Sequence, residues 1–278
     1  IDTQKVHISS AIASGYKYML IVTSDEAKAR KMCDDASFFN KEAIYYPAKD
    51  AIFYSADVHG NQITGERLRC ISRIINHSST GEGVLTVVTT MDGIADRLIP
   101  VERFKEAVIT LDYSSEIEPE KLAKKLVAMG FVRTGMVEDK GQFAIRGGII
   151  DIFSYTDEAP VRIELWDTEV DSIRMFDVES QRSIERLQSY SIFPATEYIF
   201  TEDELKNGLY NIKEECDRQL ECFDYGKRKR TKEQIEAGNN LNKLVADVER
   251  TGNYEKFTDT LVADTVGLAE YFPEENTL

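Results

Sequence analysis

The sequence predicts an α/β domain built on a parallel sheet, followed by a smaller α+β domain and then a mainly helical segment, divided at 1–106, 107–193 and 194–278. Three observations predict it. From Tyr16 to Leu111, short apolar, β-branched runs alternate with helical patterns, as βαβ units require. Between about 112 and 193 a single helical pattern gives way to a series of short strands separated by turn residues. From Pro194 onward, long charged segments carry apolar residues at helical spacing.

The elements follow in order. Residues 18–23 (YMLIVT) form a buried strand, and Asp25 is placed to cap a helix running to about Phe39. A second strand, Ala43 to Tyr46, ends at Pro47. Leu68, Ile71 and Ile75 share a face of a helix over 66–76. Gly81 and Gly83 then break the chain before a strand over 84–90. A short helix is expected from Gly93 to Leu98, stopped by Pro100, and one more strand from Val108 to Leu111.

In the second segment Pro119 opens a helix whose Leu122, Leu126 and Met129 lie on one face, and Gly130 stops it. Strands are expected over 142–146, 148–153, 161–166, 170–177 and 187–193, with Asp157, Glu158 and Pro160 in a loop. In the third segment, Leu205, Leu209, Ile212, Leu241, Leu244, Val245 and Val248 supply helical apolar positions, and the polar stretch 226–240 reads as a connection or a frayed end. An apolar segment with Leu268, Tyr271 and Phe272 precedes an end, 274–278, expected to be a truncation and not a natural carboxyl terminus.

Composition narrows the function. No run approaches the roughly 18 to 20 apolar residues of a membrane span, and no charged-then-apolar leader opens the chain, so a cytoplasmic location is expected. The cysteines Cys33, Cys70, Cys216 and Cys222 form no C-x-x-C pair. Cys216 and Cys222 are separated by about 600° of helical rotation and so face different ways. With only His7, His59 and His77 besides, neither a metal site nor a disulfide framework is expected. The 34 basic residues against 49 acidic ones leave a net charge of −15, which repels a phosphate backbone. The one basic cluster, Lys227 to Arg230 with Lys232 beyond, reads as a solvated loop or helix end and otherwise as a phosphate contact.

The motifs of catalysis are missing. The phosphate loop G-x-x-x-x-G-K-S/T is absent. Lys5 stands where such a loop might end, but Val6 follows in place of the Mg²⁺-binding hydroxyl and no glycines precede it in this chain. Lys5 is an ordinary surface lysine or, at most, a vestige. Gly-x-Ser-x-Gly and His-Glu-x-x-His are absent too, and the abundant carboxylates read as a solvated surface. No catalytic residue, cofactor or metal is expected in this chain.

One strand face has the composition of an interface. Alternation over 161–166 (VRIELW) turns Val161, Ile163 and Leu165 inward and Arg162, Glu164 and Trp166 outward. Over 142–146 (QFAIR) it buries Phe143 and Ile145 and exposes Gln142 and Arg146, before Gly147-Gly148. Arginine and tryptophan on one face suit a binding hot spot. A structural alternative stays open, in which Trp166 covers the core edge and Arg162 pairs with Glu164.

These segments carry a resemblance. Residues 141–153 (GQFAIRGGIIDIF), 160–166 (PVRIELW), 171–177 (DSIRMFD) and 181–183 (QRS) resemble the UvrB-homology module at the amino terminus of the bacterial transcription-repair coupling factors, the Mfd family. Tyr46-Pro47, the stretch 50–54 and Arg67-Leu68 also look like that family's first domain. The likeness is close over roughly 16–200 and looser elsewhere. UvrB is the competing resemblance, with the function of an excinuclease subunit that binds DNA with nucleotide. It carries an intact phosphate loop and a long tyrosine-rich insertion, and neither is present here.

The resemblance implies a degenerate helicase-like first domain of the phosphate-loop type, an inserted UvrA-binding second domain and a return to the first. It implies UvrA contacts at Arg146, Arg162 and Trp166, although the family commonly has Phe-Phe-Gly where this chain has Leu165-Trp166-Asp167. For the full-length protein it implies RNA polymerase and duplex DNA as partners, and an ATP- and Mg²⁺-dependent translocase that displaces stalled polymerase in transcription-coupled nucleotide excision repair. On that resemblance the chain itself recruits UvrA.

Overall fold

The computed structural model describes residues 2–40, 42–49, 57–80, 83–224 and 265–278, with scattered positions between 231 and 246. The stretch 50–54, Gly81, the Lys227–Arg230 cluster and the apolar positions Leu241, Leu244, Val245 and Val248 lie outside the described residues. The chain divides into two compact units, 1–199 with 266–278, and 200–265.

The first unit begins with α1 (Asp2–Ala13) and then β1 (Tyr18–Thr23), α2 (Glu26–Phe39), β2 (Ala43–Tyr46), α3 (Asp57–Thr80) and β3 (Leu85–Thr90). The three strands form a parallel sheet in the order β1-β3-β2, with Tyr18 opposite Leu85 and Ala43 opposite Thr86. All six residues of the central strand β3 are buried, as a parallel strand covered on both faces demands. Asp25 caps α2 as expected, its carboxylate accepting from the Lys28 amide at 2.9 Å. Val6 of α1 packs with Ala29, Met32 and Ala36 of α2 on Val88.

The helix expected over 93–98 is two elements. Thr90 caps α4 (Met91–Ala95) by accepting from the Gly93 amide, Asp96 leaves the helical region at φ −59 and ψ 141, and Arg97–Leu98 forms β4. The cause lies far along the chain, where β13 (Val266–Gly267) pairs with β4. The carboxyl-terminal segment of this unit is correspondingly not helical in the α sense. After β13 it makes two 3₁₀ turns and lays its end along β1, where Leu20 N–H donates to Leu278 O and Leu278 N–H to Tyr18 O, each at 3.0 Å. Leu268, Tyr271 and Phe272 are buried beneath it.

After α5 (Val101–Ala107), β5 (Ile109–Asp112) leads into the second part and is closed by β12 (Ser189–Ile192), which pairs with it antiparallel from Ile109↔Ile192 to Asp112↔Ser189. Between them lie α6 (Pro119–Ala128), β6 (Val132–Arg133), β7 (Gln142–Arg146), β8 (Ile149–Phe153), β9 (Val161–Trp166), β10 (Glu169–Phe176) and β11 (Ser183–Arg186). The last six form one sheet in the order β11-β10-β9-β8-β7-β6, antiparallel except for the β6–β7 pair. Leu122, Leu126 and Met129 of and just after α6 pack onto Phe143, Ile150, Ile152, Val161, Ile163 and Ile173 of this sheet, with Tyr190 and Ile192 closing the core. Each such side chain contributes about 1.5–3 kcal/mol by burial, so the one-sided stripe on α6 decides which face of the sheet is covered. Gly130, at φ 87, ends the helix where a Cβ would meet Thr196 at 2.9 Å.

In the second unit, α7 (Glu202–Asp224) contains Cys216 and Cys222, and the described positions between 232 and 240, expected as a connection or a frayed end, are helical. Among the described residues no helix is long and apolar enough to cross a membrane, and no cluster of metal-ligating side chains occurs.

Candidate functional site

The face of the six-stranded sheet turned away from α6 gathers the candidate residues. Register decides which of them meet. Arg146 stands opposite Ile149, which stands opposite Glu164 and then Ser172. Ala144 leads through Asp151 and Arg162 to Arg174 and Arg186. Paired residues of adjacent strands point to the same side, so these two rows carry four arginines against two carboxylates on a chain of net charge −15.

Asp151 is the centre of the arrangement. Its side chain is 1% exposed, and it accepts hydrogen bonds from Arg162 Nε at 2.6 Å, Arg162 Nη2 at 2.9 Å and Arg146 Nη2 at 2.5 Å. Arg162 Nη2 also donates to Gln181 Oε1 at 2.8 Å, and its guanidinium lies over the Phe176 ring at 4.3 Å. The hydrogen bond to Asp151 holds the Arg162 guanidinium above its ordinary pKa, against the burial that would lower it. Beside this cluster Arg174 pairs with Glu164, whose other oxygen accepts from Ser172 Oγ at 2.8 Å.

The sequence-derived candidates fare differently. Arg146, 41% exposed, reaches solvent at the end of β7, where the two-residue Gly147-Gly148 turn begins. Trp166 is 79% exposed at the end of β9 and does not cover the core. Arg162 is not the free surface arginine that alternation suggests, because only 13% of its side chain is exposed. Nor does it pair with Glu164. Residues i and i+2 of one strand are nearly 7 Å apart, whereas directly opposed residues bring their Cβ atoms to about 5 Å, so Asp151 across the ladder wins. Asp167, which follows Trp166, sits in the left-handed region at φ 58 in the two-residue turn to β10. Glycine adopts that conformation freely and aspartate at some cost. Lys5 lies exposed on α1, and Val6 beside it is fully buried.

Sequence reasoning missed Asp151 and a second charged cluster. Arg67 of α3 is fully buried, with Nε and Nη2 donating to Glu197, Nη1 donating to Asp96 Oδ2 at 2.7 Å and to Pro47 O at 2.6 Å, and the Tyr46 ring at 4.3 Å. Lys49 adds a salt bridge to Glu197 at 2.9 Å. One signal for Asp151 existed, a lone carboxylate within the apolar run 149–153. For Arg67 and Glu197, 130 residues apart, none did.

Residues 109–198, which hold the whole six-stranded sheet and the β5–β12 ribbon, match the family described as the UvrB interaction domain. The chain is 34% identical over 288 residues to the transcription-repair-coupling factor of Bacillus subtilis, covering all of this chain and 23% of that protein. It is also 34% identical, over 222 and 223 residues, to the factors of Staphylococcus aureus (77% of this chain, 18% of that protein) and Staphylococcus haemolyticus (80% and 19%). The chain thus spans about a fifth of the length of the curated relatives it matches.

Proposed function

Since the chain belongs to the family of the transcription-repair-coupling factors, we propose that it is the module by which such a factor recruits UvrA, through the face of its six-stranded sheet turned away from α6. One observation supports this. The segment matched as a UvrB interaction domain carries Arg146, Arg162 and Trp166 on one face of its sheet, with Arg146 and Trp166 exposed and Arg162 reaching solvent by only 13% of its side chain. An arginine fork matched to a carboxylate and a large exposed aromatic are the side chains from which binding hot spots are built, and the surplus of arginine suits an acidic surface on UvrA.

The α/β part is read as a degenerate helicase-like domain of the phosphate-loop type, with the UvrA-binding domain inserted and residues 266–278 returning to it. Neither nucleotide binding nor hydrolysis is assigned to this chain. Val6, buried against Ala29, Met32, Ala36 and Val88, stands after Lys5 where a phosphate loop needs a Mg²⁺-ligating hydroxyl. Within the longer protein, ATP- and Mg²⁺-driven translocation on duplex DNA and contact with RNA polymerase are assigned to the remaining length, and the whole to the cytoplasm and to transcription-coupled repair.

Calorimetric titration of the chain with UvrA tests the function directly. Saturable binding that the Arg146→Ala, Arg162→Ala double variant loses is the expected result, with no saturable heat from ATP in the same buffer. Equal UvrA affinity in that double variant would remove the face from consideration.

A further inference from the structure

We propose that Asp151 is a positioning residue of this face, aiming the Arg146 and Arg162 guanidinium groups at the acidic surface they meet without touching it, a role that rests on the UvrA-recruitment function proposed above. Asp151 lies on β8, between the strands that carry the two arginines, and opposite Arg162 in register. Its side chain is 1% exposed and so is out of reach of any partner. Both of its oxygens are occupied, Oδ1 by Arg162 Nε and Oδ2 by Nη2 of each arginine.

The consequence is geometric. Among the described residues Arg162 spends its Nε and Nη2 edge on Asp151 and Gln181 and leaves Nη1 over, while Arg146 spends Nη2 alone. A free arginine must lose the freedom of several rotatable bonds on docking, and a guanidinium already tied at one edge has lost much of it beforehand. Two like charges are also held side by side, which repulsion would prevent without a carboxylate between them. An apolar side chain of similar volume commonly packs at least as well as a buried ion pair, so the fold alone does not require a charge here.

The test uses the full chain as wild type, Asp151→Asn, Arg146→Ala and Asp151→Asn with Arg146→Ala, measuring UvrA affinity by calorimetry and the urea midpoint of each. Asp151→Asn keeps the shape and removes the charge. It is expected to weaken UvrA binding about tenfold in the wild-type background and by no more than about threefold once Arg146 is gone, because the two changes act through one group. A purely structural role predicts the same loss in both backgrounds, and that outcome would overturn the proposal, as would affinity within about twofold of wild type in Asp151→Asn. Should Asp151→Asn fail to fold, Asp151→Glu keeps the charge and lengthens the arm by one methylene. Weaker binding by this folded variant supports the positioning role, and unchanged binding overturns it. A wild-type chain that does not bind UvrA sinks the recruitment function and this role with it, whereas binding that Asp151→Asn leaves intact sinks this role alone.

Discussion

Two arginine–carboxylate clusters stand in the same unit, and they are built to opposite ends. Around Arg67 every donor edge is spent within the molecule, on Glu197, Asp96 and the Pro47 carbonyl, with an aromatic ring stacked against the guanidinium. Around Asp151 the carboxylate is buried while the arginines rise toward solvent, Arg162 by 13% and Arg146 by 41%. A closed cluster joins elements. Arg67 ties α3 to the ends of β2 and α4 and to the segment that follows β12, so it fastens the UvrB-like part to the α/β part. An open cluster leaves directed donors over, and that remainder is what a partner can use. On the proposed function, identical chemistry serves cohesion in one cluster and recognition in the other, according to how many donors the fold consumes.

Opening the closed cluster has the largest expected effect. Arg67→Ala leaves Glu197 as a buried, undercompensated carboxylate and is expected to cost about 3–5 kcal/mol in urea unfolding. UvrA affinity of the remaining folded protein should be unchanged, and replacing the pair together, Arg67→Met with Glu197→Gln, should recover much of the loss. The same cluster has a pH signature. Burial alone would raise the Glu197 carboxyl, but Arg67 and Lys49 outweigh it and hold the pKa down to about 2 from an ordinary 4.5. A depressed acid stabilises the fold fully above its unfolded pKa, so this contribution is lost as the pH falls from about 4.5 toward 2. Acid unfolding followed by circular dichroism should show a shallower decline in Glu197→Gln over that window.

The open cluster should respond in a different currency. Arg162→Ala is expected to lose affinity for UvrA by about 2 kcal/mol and, in addition, about 1–3 kcal/mol of stability, because it strips most of the hydrogen bonds from a buried carboxylate. Arg162→Lys keeps the charge without the fork and should restore only part of each. Arg146→Ala should lower affinity by a similar ~2 kcal/mol while moving stability by less than about 0.5 kcal/mol, since its side chain is the more exposed of the two. Calorimetry paired with thermal melts reads both quantities. Equal stability losses for the two arginines would erase the distinction drawn between them. The smallest effect is expected at Asp167→Gly, which relieves a positive φ in the turn beyond Trp166 and should add a few tenths to about 1 kcal/mol, visible as a higher melting temperature.

How much of this was legible beforehand can be read element by element. Asp25 before an amphipathic run, Pro119 and Gly130 at the two ends of α6, and alternation over 161–166 all announced themselves, because caps, stops and side-chain periods are properties of neighbouring residues. Alternation also turned Arg162 and Trp166 to the correct face of β9. The two-residue β6 and the all-exposed β11 escaped notice, being too short or too polar to show a period. β4 reads as helix in the sequence because its partner, β13, comes some 170 residues later.

What the sequence determined by itself, then, was the kind of each long element and which of its sides is apolar, since both follow from steric and hydrophobic preferences acting over a few residues. Tertiary structure alone decided that Arg162 faces Asp151 and not Glu164, that Arg67 meets Glu197 across 130 residues, and that Arg162 spends more of its donors on described residues than Arg146 does. An ion pair is chosen by distance and burial, and these are set only when strand order and register bring remote residues to one place.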